Sequence, residues 1–326
     1  PGIRRPGRDP VVPGQAGGTA PMKIVSLLPS ATEIVYALGL GDDLVGVTYE
    51  CDYPPEATSK PVVVKSALPQ GRPLSSREID EAVRERMDRQ EPIYVLEKEM
   101  IQQLEPDVIL TQDLCRVCAI PSGQVQEALE EIGVRDAKVL SLDPHTFDEV
   151  LEGIRAVGTM LGRAERADEI VGALRARVEA VRAKALRLPS IRVLCQEWLD
   201  PPFAAGHWVP DMVETVGGVN LLTEKEQPSR VVTWREIRDA NPEVVVFMPC
   251  GYYLEEAEEE AVQLYRNAEF VETPAAREGT VFAVDATSFF SRPGPRIVDG
   301  LEILAWAVHP QAFPEPPDGS ITRVER

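Results

Sequence analysis

The sequence predicts an α/β protein made of two similar lobes, each with a central, mostly parallel sheet, joined by one long helix. Three observations predict it. Strand-length apolar runs alternate with amphipathic helical stretches, the pattern of parallel sheets covered by helices on both faces. The stretch from Ala164 to Leu186 is rich in Ala, Leu, Glu and Arg, with no proline and one glycine. On either side of it the same motif occurs: Ile101-x4-Pro106-Asp107-Val-Ile-Leu, reaching Cys115, and Ile237-x4-Pro242-Glu243-Val-Val-Val, reaching Cys250. Each copy reads as a helix end, a proline that cannot continue it, an acidic residue and a buried strand. Two unrelated α/β domains are the plainer alternative.

In chain order, Lys23 to Leu28 is a buried-strand pattern that runs into Pro29-Ser-Ala-Thr-Glu33 and a helix stopped at Gly39. Ser30 and Glu33 have capping-box spacing. Strands follow at Leu44 to Thr48, Pro61 to Val64, Val108 to Thr111 and Lys138 to Leu142. A helical stretch opens at the Ser75/Glu78 capping box, and another at Thr146/Glu149. After the long helix the pattern restarts with a strand at Ile191 to Cys195 and a proline-rich loop from Asp200 to Pro210. A helix ending at Gly217-Gly218 comes next, then strands near Val244 to Met248 and Val281 to Val284. The division is then residues 1–21 a disordered leader, 22–163 a first lobe, 164–188 a linker helix, 189–313 a second lobe and 314–326 a tail.

At 326 residues the chain exceeds the roughly 250–300 over which a single core keeps growing, so each lobe is expected to bury its own. Its 34 Lys+Arg against 53 Asp+Glu give a net charge of −19, which repels phosphate backbones and makes nucleic acid a poor partner. No run approaches the roughly 20 apolar residues that span a bilayer. Residues 1–21 are rich in Pro, Gly and Arg and lack the apolar region of a secretory signal, with Met22 as a natural start. Scattered cysteines read as reduced thiols. A cytoplasmic location follows, or a periplasmic or extracellular one if a signal has been removed.

Loops after the strands gather the residues with chemistry. The ligand-facing candidates are Glu50, Cys51, Tyr53, His145, Trp198, Phe203, His207, Trp208, Tyr252, Phe289, Phe290 and Arg292. Cys51, Cys115, Cys118 and Cys250 each lie beyond a strand and could supply soft donors to a metal ion or an iron-sulfur cluster. Cys115 and Cys118 could also form a redox dithiol, but a single Cys-x-x-Cys is a weak zinc signal. Cys195, inside a strand, reads as a core residue. His145 and His207 have packing as the plainer explanation. Gly39-x-Gly41-x4-Gly46 lacks dinucleotide spacing and precedes a strand, and no nucleophile elbow or Walker loop occurs. The acidic run Glu255 to Glu260 reads as a solvated helix face.

From about Met22 to Phe313 the chain resembles the helical-backbone substrate-binding proteins of ABC importers for cobalamin, iron-siderophore and haem, the cobalamin binders most closely. The resemblance rests on Ser26-Leu-Leu-Pro29-Ser-Ala-Thr-Glu33, Asp52-Tyr53-Pro54-Pro55 with Ala57, and Leu104-Glu-Pro106-Asp107-Val-Ile. Pro201-Pro202-Phe203 with Gly206, Val216-Gly-Gly218-x-Asn220 and Phe290-x-Arg292-x2-Pro295-Arg296 continue it. It implies two Rossmann-like lobes on a rigid helix, a corrinoid or related metal chelate between them as ligand, no required cofactor, and a non-enzymatic role in uptake or intracellular handling. Phe203 and Phe289 match aromatic positions of the family, whereas Glu50 stands where the cobalamin binder has an aromatic residue. Glu99 matches one acidic residue that docks onto a permease, and Glu236 is a candidate for the second. The segment from Ser66 to Glu97 is an addition to the first lobe, where the family places a cleft tryptophan. Cleft cysteines are likewise foreign to the cobalamin binders.

Overall fold

A computed structural model describes residues 22–69, 74–114 and 120–326. The expected leader and the pair Cys115 and Cys118 lie outside them. The first lobe runs β1 (Ile24–Ser26), α1 (Pro29–Ala37), β2 (Leu44–Thr48), β3 (Val62–Ser66), α2 (Ser76–Asp88), β4 (Tyr94–Leu96), α3 (Lys98–Leu104), β5 (Val108–Thr111), α4 (Ser122–Glu131), β6 (Lys138–Ser141) and α5 (Phe147–Met160). Then comes α6 (Ala164–Ala185). The second lobe continues with β7 (Ile191–Trp198), β8 (Phe203–Ala204), α7 (Val209–Thr215), β9 (Gly218–Asn220), β10 (Arg230–Val231), α8 (Trp234–Ala240), β11 (Val244–Phe247) and α9 (Leu254–Ala261). It closes with α10 (Pro274–Glu278), β12 (Val281–Val284), α11 (Ala286–Phe289), α12 (Ile297–Val308) and β13 (Ile321–Arg323).

The first sheet has the order β4-β3-β2-β1-β5-β6, and the second β10-β8-β7-β11-β12-β13 with β9 also on β7. Both are parallel at their centres, with antiparallel edges: β4 on β3 in one, and β8, β10 and β13 in the other. The repeated motif has one geometry in both copies. Ile101 and Ile237 are buried in seven-residue helices that end on Glu105 and Asn241, each in the left-handed conformation, before the proline and the buried strand. A left-handed C-cap lets the chain leave the helix axis and turn into the sheet.

The long helix buries Ala167, Val171, Leu174, Val178, Val181 and Ala185, a stripe at alternating spacings of four and three. One face of α6 is thus apolar along its whole length, and it packs on α5 of the first lobe and on α7 and α12 of the second. Around this stripe a single apolar cluster runs continuously from Ile24 and Ile34 in one lobe to Val193 and Leu301 in the other. Each sheet keeps a private cluster on its far face, around Val25 and Ile109 in the first and Phe247 and Phe270 in the second. The expectation that each lobe buries its own core is therefore corrected: the inner core is shared. The tail reading of 314–326 is also corrected, because β13 adds an edge strand to β12 and Val324 is buried beside it.

Candidate functional site

The carboxyl ends of the two sheets meet at a junction built on Arg292. β12 and α11 deliver Phe289, Arg292 and Arg296, and the loop after β2 delivers Tyr49 to Tyr53 from the other lobe. Arg292 donates to Asp52 Oδ1 at 2.5 Å, to Glu33 Oε1 at 3.4 Å and to the Glu50 carbonyl at 3.0 Å. Arg296 forks onto Glu33, with Nε on Oε2 at 2.9 Å and Nη2 on Oε1 at 2.6 Å. Its guanidinium lies 4.0 Å from the centre of the Tyr53 ring and 5.7 Å from that of Phe289, an aromatic from each lobe on one cation. Tyr253, after β11, donates its hydroxyl to Asp52 Oδ2, and Tyr49 donates to Glu50 Oε1 at 3.0 Å.

Burial alone would raise the Asp52 carboxyl, but the hydrogen bonds from Arg292 and Tyr253 hold it below the usual range. For Glu50 burial wins and raises the carboxyl, against the Tyr49 hydrogen bond and the Arg292 charge. The expected Ser30/Glu33 capping box does not form: α1 starts at Pro29 behind Leu28 with no side-chain cap. Glu33 is instead spent on the two arginines, and at 3% exposure its charge is viable only because both guanidiniums meet it. Gly300 of α12 sits where an added Cβ would lie 2.1 Å from the Phe289 carbonyl oxygen, so the absence of a side chain there sets where Phe289 is held.

A second interlobe contact lies near α5 and α7. The Phe147 amide donates to Asp211 Oδ2 at 3.1 Å, and the rings of His145 and His207 are 6.5 Å apart. His145 is exposed and His207 half-buried. Trp208 and Phe290 are corrected from ligand-facing to core: both are buried, and the Trp208 indole N–H donates to the Phe290 carbonyl at 3.0 Å. Burial, and then the neighbouring His145, lowers the His207 pKa. A depressed imidazole gives stability that is present above the unfolded value of about 6.5 and lost as pH falls through it toward the folded value. The urea midpoint is therefore expected to fall between pH 8 and pH 5. His207→Asn, which tolerates the left-handed backbone at φ 54°, should flatten that fall, leaving the part due to His309, which burial lowers in the same direction.

The segment from Ser66 to Glu97 reaches across to the second lobe. The capping box at Ser75 and Glu78 forms as the sequence predicts. From the first turn of α2, the Ser76 carbonyl accepts the Trp198 indole N–H at 3.1 Å and the Ser76 amide donates to Glu260 Oε1 at 3.3 Å. Arg77 Nε donates to Asp200 Oδ2 at 2.8 Å. Trp198 meets Tyr252 edge to face at 5.7 Å and stands opposite Phe203 of β8. Glu260 thus departs from the solvated-face reading of its acidic run.

Of the four candidate thiols, Cys51 and Cys250 lie among the described residues. Cys51 is buried, its Sγ lies 3.0 Å from Thr32 Oγ1, and burial pushes its pKa up to about 12. Cys51 packs into the shared apolar core and belongs to no group of ligating residues among those described, so it does not serve the soft-metal set. Cys195 is a core residue, as read from the sequence, and Cys250 is exposed. Among the described residues no group of three or more His, Cys, Asp or Glu could hold a metal ion. Iodoacetamide on the native protein is expected to modify Cys250 and spare Cys51 and Cys195, read peptide by peptide in a mass spectrometer. Equal labelling of all three would contradict the burial.

Of the two docking candidates, Glu99 is exposed in the first turn of α3. Glu236 caps Thr233 and pairs with Arg230 at 3.1 Å. The offset between the motif copies is 242 − 106 = 136, which matches Glu99 with Arg235 and not with Glu236. Residues absent from the ligand-facing candidates, and that the structure brings into the site, are Glu33, Tyr49, Asp52, Tyr253 and Arg296, of which Asp52 and Tyr253 lie in strand-end loops that the sequence had already marked. The motif Arg292-x2-Pro295-Arg296, already part of the family resemblance, was the available signal.

The profile of the family described as "Periplasmic binding protein" matches residues 24–287. The chain is similar to the vitamin B12-binding protein of Vibrio cholerae, 27% identical over 285 residues and 86% of each chain. It is also similar to the uncharacterized ABC transporter substrate-binding lipoprotein YvrC of Bacillus subtilis, 26% identical over 90% of this chain and 82% of that protein. Among solved structures, a periplasmic heme binding protein from Pseudomonas aeruginosa shares the fold with a TM-score of 0.69 and 21% identity, covering 94% of this chain and 99% of that one.

Proposed function

Because the chain belongs to the periplasmic binding protein family, whose members carry solutes to ABC importers, we propose that it binds cobalamin or a related corrinoid between its lobes for delivery to a permease. The observation that carries this reading is the pair Tyr53 and Phe289, from opposite lobes, flanking Arg296 at the interlobe junction. Tyr49, Tyr53 and Tyr253 stay 40–45% exposed there, which gives a flat macrocycle aromatic surface to cover. The name of the Vibrio cholerae relative supports the ligand class. Glu99, exposed on a chain of net charge −19, is the acid offered to a basic permease surface.

Among the described residues no helix is long and apolar enough to cross a membrane. The family's periplasmic role favours work on the outer side of the cytoplasmic membrane, and the cytoplasmic reading has no support from the comparisons. With Cys51 in the core, the thiol-bound metal or iron-sulfur alternative loses a donor and is not favoured. Titration with cyanocobalamin, followed by heat and visible absorbance, tests the proposal against haemin as comparator. Saturation by cyanocobalamin with a dissociation constant of about 1 μM or below is expected. No heat and no spectral change at tens of micromolar would end the reading.

A further inference from the structure

β7 and β11 are the neighbours from which the second sheet grows in opposite directions, with β8 and β10 on one side and β12 and β13 on the other. In open α/β sheets the crevice beyond the carboxyl ends of such a pair is a ligand site, because the loops that follow turn away from each other. Here the crevice is a cavity of about 970 Å³ between the loop after β7, the loop after β11, α9 and the first turn of α2. That volume lies within the range of small-molecule sites. Leu74 and Ile79 of the first lobe line it together with Leu199, Trp234 and Tyr252 of the second.

One polar group in this lining is incomplete. Glu260 accepts from the Ser76 amide through Oε1, while its Oε2 is fully buried with no hydrogen-bond partner. Burial raises the carboxyl above its usual range. A buried acceptor without a donor is costly, and a ligand N–H placed there would relieve it. The remaining charges of the lining lean negative: Asp200, Glu256 and Glu259 stand against Arg77 and Arg266, and Arg77 is committed to Asp200.

We propose that this cavity is a ligand subsite that takes a flat, apolar group edged with N–H donors, neutral or cationic, and refuses carboxylates. Its roof is the first turn of α2 in the first lobe, and the rest of its lining belongs to the second. The occupant sits against Trp234 and Tyr252 and donates to Glu260.

Amide-resolved NMR of the full chain tests this with benzamidine as probe and benzoate as its charge-reversed counterpart. Benzamidine is expected to shift the Gly251, Tyr252 and Glu260 amides saturably in the millimolar range, and benzoate to bind about tenfold more weakly or not at all. Gln263→Trp, which fills the cavity from its lining, should abolish the shifts, and Glu260→Ala should weaken them while leaving the rest of the spectrum folded. No saturable shift, equal binding of benzoate, or wild-type binding by both variants would overturn the proposal. The test uses no macrocycle, so its failure and a failure of the interlobe reading are separate results.

Discussion

Arg292→Ala is expected to lower the unfolding free energy by about 3–5 kcal/mol, the range found when one partner of a buried ion pair is removed. Arg292 is 7% exposed and contacts Asp52, Glu33 and the Glu50 carbonyl, all on the opposite lobe. Its loss strips Asp52 of its cation, leaves a carbonyl without a donor and halves the charge that balances Glu33. A urea titration reads the effect as a shift in midpoint with little change in slope, since the surface exposed on unfolding is the same. The exposed pair Arg77 and Asp200 serves as the contrast: its removal should shift the midpoint little, because solvent screens it. A midpoint shift no larger for Arg292→Ala than for Arg77→Ala would show that the junction does not hold the lobes together.

Tyr53→Ala combined with Phe289→Ala is expected to weaken cyanocobalamin binding by roughly 100-fold, about 3 kcal/mol, as for central aromatic anchors of an interface. Tyr53 is 45% exposed and Phe289 half-buried, so much of each ring is free to be covered by a ligand. Truncating them also removes the aromatic faces on which Arg296 rests, but its fork onto Glu33 remains. Stability and binding should thus separate. The urea midpoint of the double variant should fall far less than that of Arg292→Ala, while its isotherm shifts much further. Unchanged affinity would place the ligand elsewhere in the molecule.

The fold was largely legible because period and punctuation are local signals. The stripe from Ala167 to Ala185, the capping boxes at Ser75 and Thr146, and the proline after each short helix could be read directly from spacing. Ser30 and Glu33 have the same spacing, yet the structure uses Glu33 as a partner for arginines more than 250 positions away. Spacing within a helix cannot disclose a demand from the other end of the chain. Trp208 and Phe290 failed as ligand-facing residues for the same reason, since aromatics after strands look alike whether they line a gap or seal a core. The edge strand β13 was missed because a three-residue strand behind a Pro-Pro-Asp-Gly turn carries too little periodicity to stand apart from a tail.

The seam between the halves is stitched at Arg292 and Arg296 with charges, and this governs what happens when it is opened. Parted greasy faces would present sticky surface to every neighbour, whereas parted guanidinium and carboxylate groups are hydrated at once. Separation at that seam therefore exposes charge and two aromatic rings in place of the shared apolar core. The apolar continuity along α6 on the other side keeps the parting from spreading. Under the proposed reading, a guest enters at this charged rim and leaves the shared core along α6 intact.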